Sequence, residues 1–206
     1  MFRIEKLTAL AAIAALLAAL AGCVTAENAL SPNDVASMRL TGVNVSFAPD
    51  SLVSTPESEA AYAAAKGIPE GQMLPALRTP EYREFVRGMV GPKVKAGVEQ
   101  AMAGRLNGSR PVRLEIVVSR YTVPSVMWRA VVGGDPEMIA AVTLVDARSG
   151  AVVLANPKVE GFAPGGHGIA GVLVQSAFDS ATKQGMEDRM IAYFAREYGN
   201  WLTHGA

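Results

Sequence analysis

The chain reads as an α+β domain, a two-layer sandwich in which an antiparallel or mixed sheet of about four strands is covered by two long helical regions. Three observations predict this. Stretches at 39–47 and 112–123, and a pair flanking 146–150, alternate or run apolar in the manner of strands. Segments that begin near Thr79 and Ile169 carry apolar residues at helical spacing. The order strand, helices, strand, hairpin, helix lets the helical segments pack together on one face of the sheet.

Taken in order, residues 39–47 form a half-buried strand, with Val43, Val45 and Phe47 on one face and Asn44 and Ser46 on the other, and Pro49-Asp50 ends it. Thr55-Pro56-Glu57 starts a short helix, threonine as cap and proline in the first turn, which stops at Gly67. Residues 68–78 read as irregular. Thr79-Pro80-Glu81 repeats the start signal, and Val86, Val90, Val94, Gly97, Val98 and Ala101 follow at helical spacing towards Asn107-Gly108. Pro92 inside this segment predicts a kink or break near Gly91. In 112–123, Val112, Leu114, Ile116 and Val118 alternate with Arg113 and Glu115. Runs at 138–145 and 151–160 enclose Asp146-Ala147-Arg148-Ser149-Gly150, an aspartate opening and a glycine closing a hairpin turn. A Gly/Pro-rich loop over 161–168 leads to one long helix over 169–202. Its apolar stripe is Val174, Phe178, Ala181, Met190, Phe194, Tyr198 and Trp201. Gly185 is its weak point, and Asp179/Lys183 and Lys183/Glu187 are its i,i+4 pairs.

The N-terminus reads as a targeting segment. Arg3 and Lys6 precede a run from Leu7 to Ala21 that is apolar apart from Thr8, and it ends in Leu20-Ala21-Gly22-Cys23. That tetrapeptide resembles the lipobox of bacterial lipoproteins. The resemblance implies a signal peptide at 1–22, cleavage before Cys23 and acylation of its thiol, with membrane lipid as the partner. The residues alone leave three other readings open. Ala19-Leu20-Ala21 also fits the cleavage site of a plain secreted protein; Leu7 to Val24 approaches the length of an uncleaved anchor; and Cys23 could be a buried thiol. Residues 23–37, small and polar with a turn signal at Ser31-Pro32-Asn33-Asp34, read as a lipid-anchored tether, and 38–206 as a single periplasmic domain. In lipoproteins of this kind the residue after the cysteine influences sorting. Val24 is not the aspartate of inner-membrane retention, so the resemblance implies the periplasmic face of the outer membrane. Together with the Val145-Asp146 to Gly150-Ala151-Val152 hairpin and the long terminal helix, the lipobox makes the chain similar to uncharacterised alphaproteobacterial lipoproteins that carry a domain of unknown function. It is more loosely similar to auxiliary lipoproteins of envelope transporters. Neither resemblance brings catalytic residues.

Composition narrows the function classes. Removing Arg3, Lys6 and Glu5 from the 19 basic and 19 acidic residues leaves 17 and 18, a formal charge of −1. Without a basic excess there is no electrostatic case for nucleic acid. Cys23 is the only cysteine, which excludes an intramolecular disulfide.

Candidates for chemistry are few. Gly166-His167-Gly168-Ile169-Ala170-Gly171 has the G-x-G-x-x-G form after a strand and before a helix. No strand follows to complete a dinucleotide-binding unit, so the reading is a turn feeding a helix. His167 and His204 are the only histidines and lack the spaced partners of a metal site. No H-E-x-x-H, G-x-S-x-G or P-loop motif is present. The expectation is a protein that is not an enzyme and holds no metal or cofactor.

One stretch is out of place for a connection. Residues 123–132, Val-Pro-Ser-Val-Met-Trp-Arg-Ala-Val-Val, are strongly apolar and precede Gly133-Gly134. They either extend a strand or fold under the core, or they form an exposed patch that marks a partner. Val126, Met127, Trp128, Arg129 and Val131 are the candidate contacts, since Trp and Arg are enriched at binding hot spots. The expected function is a lipid-anchored accessory module binding an envelope protein. The alternative is a carrier or sensor that holds a small apolar ligand or lipid between helices and sheet.

Overall fold

Alternating valines, leucines and isoleucines build one mixed four-stranded sheet in the order β1-β2-β3-β4. The strands are β1 (Met38–Ser54), β2 (Arg110–Thr122), β3 (Glu137–Asp146) and β4 (Val152–Phe162). The computed structural model describes residues 26–69, 71–164, 166, 168–182 and 185–204. The expected signal peptide, Cys23, His167 and Lys183 lie outside them, as do the side chains of Phe178, Asp179 and Ala181. The fold is α+β, as the sequence predicts. β1 and β2 are parallel, and β2–β3 and β3–β4 are antiparallel. A parallel pair needs a crossover, supplied by α2 (Pro56–Lys66) and α3 (Pro80–Met102). Both helices start where expected, with Thr55 and Thr79 hydroxyls accepting the amides of Ser58 and Tyr82 at 3.1 and 3.2 Å. Gly67 closes α2 in the left-handed region, φ 63°.

Two interruptions expected from proline do not occur. β1 continues past Pro49-Asp50: its register shifts between Phe47 and Leu52, and Leu52–Ser54 pair with Arg120–Thr122. Pro49 sits on an edge strand within this bulge, where no ladder bond is asked of it. The displaced carbonyls of Ala48 and Pro49 accept Arg87 Nη2 at 2.9 and 3.1 Å. Likewise α3 runs unbroken through Pro92. The missing donor frees the carbonyl of Gly88, an exposed residue, so water can satisfy it. Tyr82, Val86, Val90, Val94, Val98 and Met102 are buried along the whole length and hold both halves on the body. Their spacing of four drifts by ~40° per step at 3.6 residues per turn. The buried row therefore winds from α2, where Tyr62 meets Tyr82 edge-on at 5.3 Å, round to Ile191 beside Gly97.

The C-terminal helix divides. Instead of one helix over 169–202 there are α5 (Gly168–Thr182) and α6 (Met186–Leu202). Gly185 is extended and its amide donates to the Asp188 carboxylate at 3.1 Å, which starts α6 afresh. Met190, Phe194, Tyr198 and Leu202 of α6 are buried on the sheet. Gly161 of β4 allows the approach, because a Cβ there would lie 2.5 Å from Phe194 Cβ. α3 and α6 thus cover one face, while the other face presents Asn44, Ser46, Arg113, Glu115, Ser119 and Thr143, all partly or fully exposed.

The segment expected as a tether is part of the body from Ala26 onward. Ser31 caps a short helix, α1 (Pro32–Ser37), and Val35 is buried. The Asn28 side chain donates to the carbonyls of Trp201 and Leu202 at 2.9 and 2.8 Å. Trp201 Nε1 donates to Ala26 O at 2.8 Å, and His204 Nε2 lies 2.7 Å from Leu30 O. These long-range pairs are invisible in composition, which is why a small polar stretch reads as a linker.

Candidate functional site: an apolar helix pair at one end of the sheet

Residues 123–132 neither extend β2 nor fold under the core. Val123 makes one last bond to β1, its amide donating to Ser54 O at 2.9 Å. Pro124 then breaks the strand, and the Ser125 hydroxyl accepts Trp128 N at 3.2 Å to cap the six-residue α4 (Val126–Val131). Gly133 and Gly134, at φ 93° and 108°, turn the chain back into β3. A helix this short can bury only one edge. It buries Arg129, 3 % exposed, and leaves Val126, Met127, Trp128, Val131 and Val132 between 57 and 76 % exposed. The candidate contact list is thereby corrected at Arg129: the guanidinium points inward, and the other four candidates, Val126, Met127, Trp128 and Val131, face out.

α5 packs against α4. Val172 is buried, while Ile169, Leu173 and Val174 are 65–75 % exposed. Sequence reasoning placed Val174 on the stripe that covers the sheet, so these three were missed. A signal was present: residues 168–177 contain no charged side chain, whereas the stretch that does cover the sheet, 186–202, carries charges on its outer face. The helix pair sits at the end of the sheet where Ser54, Thr122, Glu137 and Phe162 stand side by side in register.

The other sequence candidates resolve into structure. Gly166 is left-handed at φ 66°, and a Cβ on it would lie 2.3 Å from Gly171 O, so the glycine motif makes a close turn into α5. No parallel strand follows it among the described residues. No group of three His, Cys, Asp or Glu side chains comes together among the described residues. The Asp146 carboxylate accepts the amides of Ser149 and Arg148, both at 3.1 Å, and these bonds hold it down at about 2. It is a turn residue.

Charged groups concentrate where α2, α3 and α6 meet. Lys93 bonds both Glu57 and Glu187, the latter at 3.1 Å. Burial alone would lower Lys93, but the two carboxylates outweigh it and raise the ammonium. Tyr121 beneath is pushed far above the ordinary tyrosine range by burial, reinforced by Glu187, Asp188 and Glu57. The cluster joins three helices and offers no nucleophile paired with a base. Beside it an open groove of about 720 Å³ runs between α3 and α6, lined by Ala96, Gly97, Gln100, Asp188 and Ile191 among others.

No family model matches the chain, and no curated protein matches it. Among solved structures, the PelC dodecamer from Paraburkholderia phytofirmans is 12% identical, covering 85% of this chain and 93% of that one with a TM-score of 0.38. Lipoprotein GNA1162 from Neisseria meningitidis is 13% identical over 72% of this chain and 99% of that one, with a TM-score of 0.23. With TM-scores below 0.5, neither likeness bears on what this chain does. No helix among the described residues is long and apolar enough to cross a membrane.

Proposed function

We propose that this chain is a non-enzymatic, lipid-anchored module of a bacterial envelope, which works by holding another protein against its α4–α5 face. The observation that carries the reading is that face: α4 and the first half of α5 together leave Val126, Met127, Trp128, Val131, Val132, Ile169, Leu173 and Val174 exposed, and residues 168–177 carry no charge. A soluble domain keeps such surface when a partner covers it. The lipid anchor rests on Leu20-Ala21-Gly22-Cys23. Ala26, three residues after Cys23, already accepts a bond from Trp201 Nε1, so the domain sits close to the membrane that holds it. Val24, in place of the aspartate of inner-membrane retention, supports placing it on the periplasmic face of the outer membrane.

The carrier reading has less support. The valines and methionines between helices and sheet belong to one continuous packed cluster, and the α3–α6 groove opens outward and is lined in part by Lys93, Gln100 and Asp188.

Two measurements test the proposal. Cys23→Ser should move the protein from the membrane to the soluble fraction, and the mass of the native N-terminal peptide should show acyl chains on Cys23. An unmodified thiol refutes the anchor. For the face, a cysteine at Val131 in intact envelopes should react with maleimide several-fold more slowly than one at Ala103, an exposed residue at the far end of the body. Equal rates refute the contact.

A further inference from the structure

The α4–α5 face is larger than ordinary monomer surface. The exposed parts of its eight apolar side chains amount to on the order of 1,000 Å², against about 300–600 Å² for the largest patch of a typical monomer and about 800 Å² for one side of a standard interface. We infer that a second copy of this chain covers it, the two bodies meeting through α4 and α5 about a twofold axis. The inference rests on the proposed reading of the face as a protein contact, and it names the partner.

Two features select a copy. The first is charge. A twofold contact sets each residue near its own counterpart, so any exposed charge on the patch would face itself. Residues 123–134 and 168–177 hold one charged side chain between them, Arg129, and it is buried. The face can therefore meet itself without repulsion. The second is where the chain enters the body. Ala26 and Asn28 dock on the last turn of α6, which ends beside Arg105 and the C-terminal end of α3. That is the end of the sheet where β1 and β2 begin, and α4 and α5 lie where they finish. The 13 residues of β2 put roughly 40 Å between the two ends at ~3.3 Å per residue. A bilayer that holds Cys23, three residues before Ala26, thus lies at the end away from the face. Two copies anchored in one leaflet can lean together at their distal ends, with the twofold axis along the membrane normal. The bilayer itself reaches the face only if the body lies flat.

The test places a benzophenone amino acid at Val131, and separately at Leu173, in the full-length chain in intact envelopes. Irradiation should give one crosslinked species at twice the mass of the processed chain from both positions, and none from the same probe at Ala103. Trp128→Asp, which sets a carboxylate opposite its own image, should lower the Val131 yield at least tenfold with an unchanged thermal melt. Leu173→Asp repeats the test on the other helix should the first variant melt early. An adduct with a different protein overturns the second copy and keeps the face as a protein contact. Adducts with lipid alone, or no adduct at either position, overturn both.

Discussion

At Gly161 the covering helix comes close against the sheet, and substituting it measures that packing directly. A Cβ built there lies 2.5 Å from Phe194 Cβ, 2.8 Å from Met190 O and 3.0 Å from Phe194 Cα. Carbon atoms rest about 3.5–4.0 Å apart, so α6 must retreat by roughly 1 Å. No flexible side-chain tip is available to yield, because two of the three atoms are backbone. Overpacking of this kind costs about 1–3 kcal/mol, and the retreat also loosens Met190, Phe194 and Tyr198, all buried. Against this, removing a glycine from a strand favours folding by about 0.5–1 kcal/mol. Gly161→Ala should therefore destabilise by a net ~0.5–2 kcal/mol, a fall of roughly 1–8 °C in Tm for a domain of this size. Gly88→Ala is the control. Gly88 lies inside α3 with nothing within 4 Å of a Cβ, so alanine should stabilise by about 0.5–1 kcal/mol. Urea and thermal unfolding of the two variants give the comparison. If Gly161→Ala is as stable as the parent, α6 does not seat on β4 as described.

Other substitutions probe the remaining joints. Arg87→Ala removes the donor shared by Ala48 O, Pro49 O and Ser51 Oγ, and should cost about 1–2 kcal/mol, with hydrogen exchange rising first around residues 48–52. Asn28→Ala loses two bonds to the last turn of α6; it should cost about 1–2 kcal/mol and make residues 26–30 a preferred site of limited proteolysis. The Asp146 carboxyl titrates at about 2 in the fold against an ordinary 3.8. Its folded value is depressed, so its contribution is complete above about pH 4 and is lost as pH falls towards 2. The urea midpoint of the parent should drop more steeply over that range than that of Asp146→Asn, and parallel curves would remove the turn's role in acid stability.

How much of this could be read in advance depended on how local each cause was. The hairpin was legible because Asp146 and Gly150 satisfy and turn the backbone within five residues. The starts of α2 and α3 were legible because Thr55 and Thr79 cap amides three positions on. The strand faces at Val43 and at Val112–Val118 were legible because period two is a property of the segment itself. Proline was misleading in both places, since what keeps β1 and α3 whole at Pro49 and Pro92 lies elsewhere. Arg87 reaches the bulge from α3, and the buried valine row holds α3 against the sheet.

The amino-acid sequence by itself determined the α+β class, the covered sides of β1 and β2 and the Asp146–Gly150 turn. Only the tertiary structure decided that residues 26–37 belong to the body, that Gly185 starts a new helix, that Arg129 is buried, and that Val126, Trp128, Val131, Ile169 and Leu173 are left uncovered. The physical reason is that periodicity shows a face to be apolar, whereas burial requires a second surface against it. That surface comes from residues distant in the chain, such as Trp201 for Ala26 and α4 for α5, and spacing along the sequence carries no record of them.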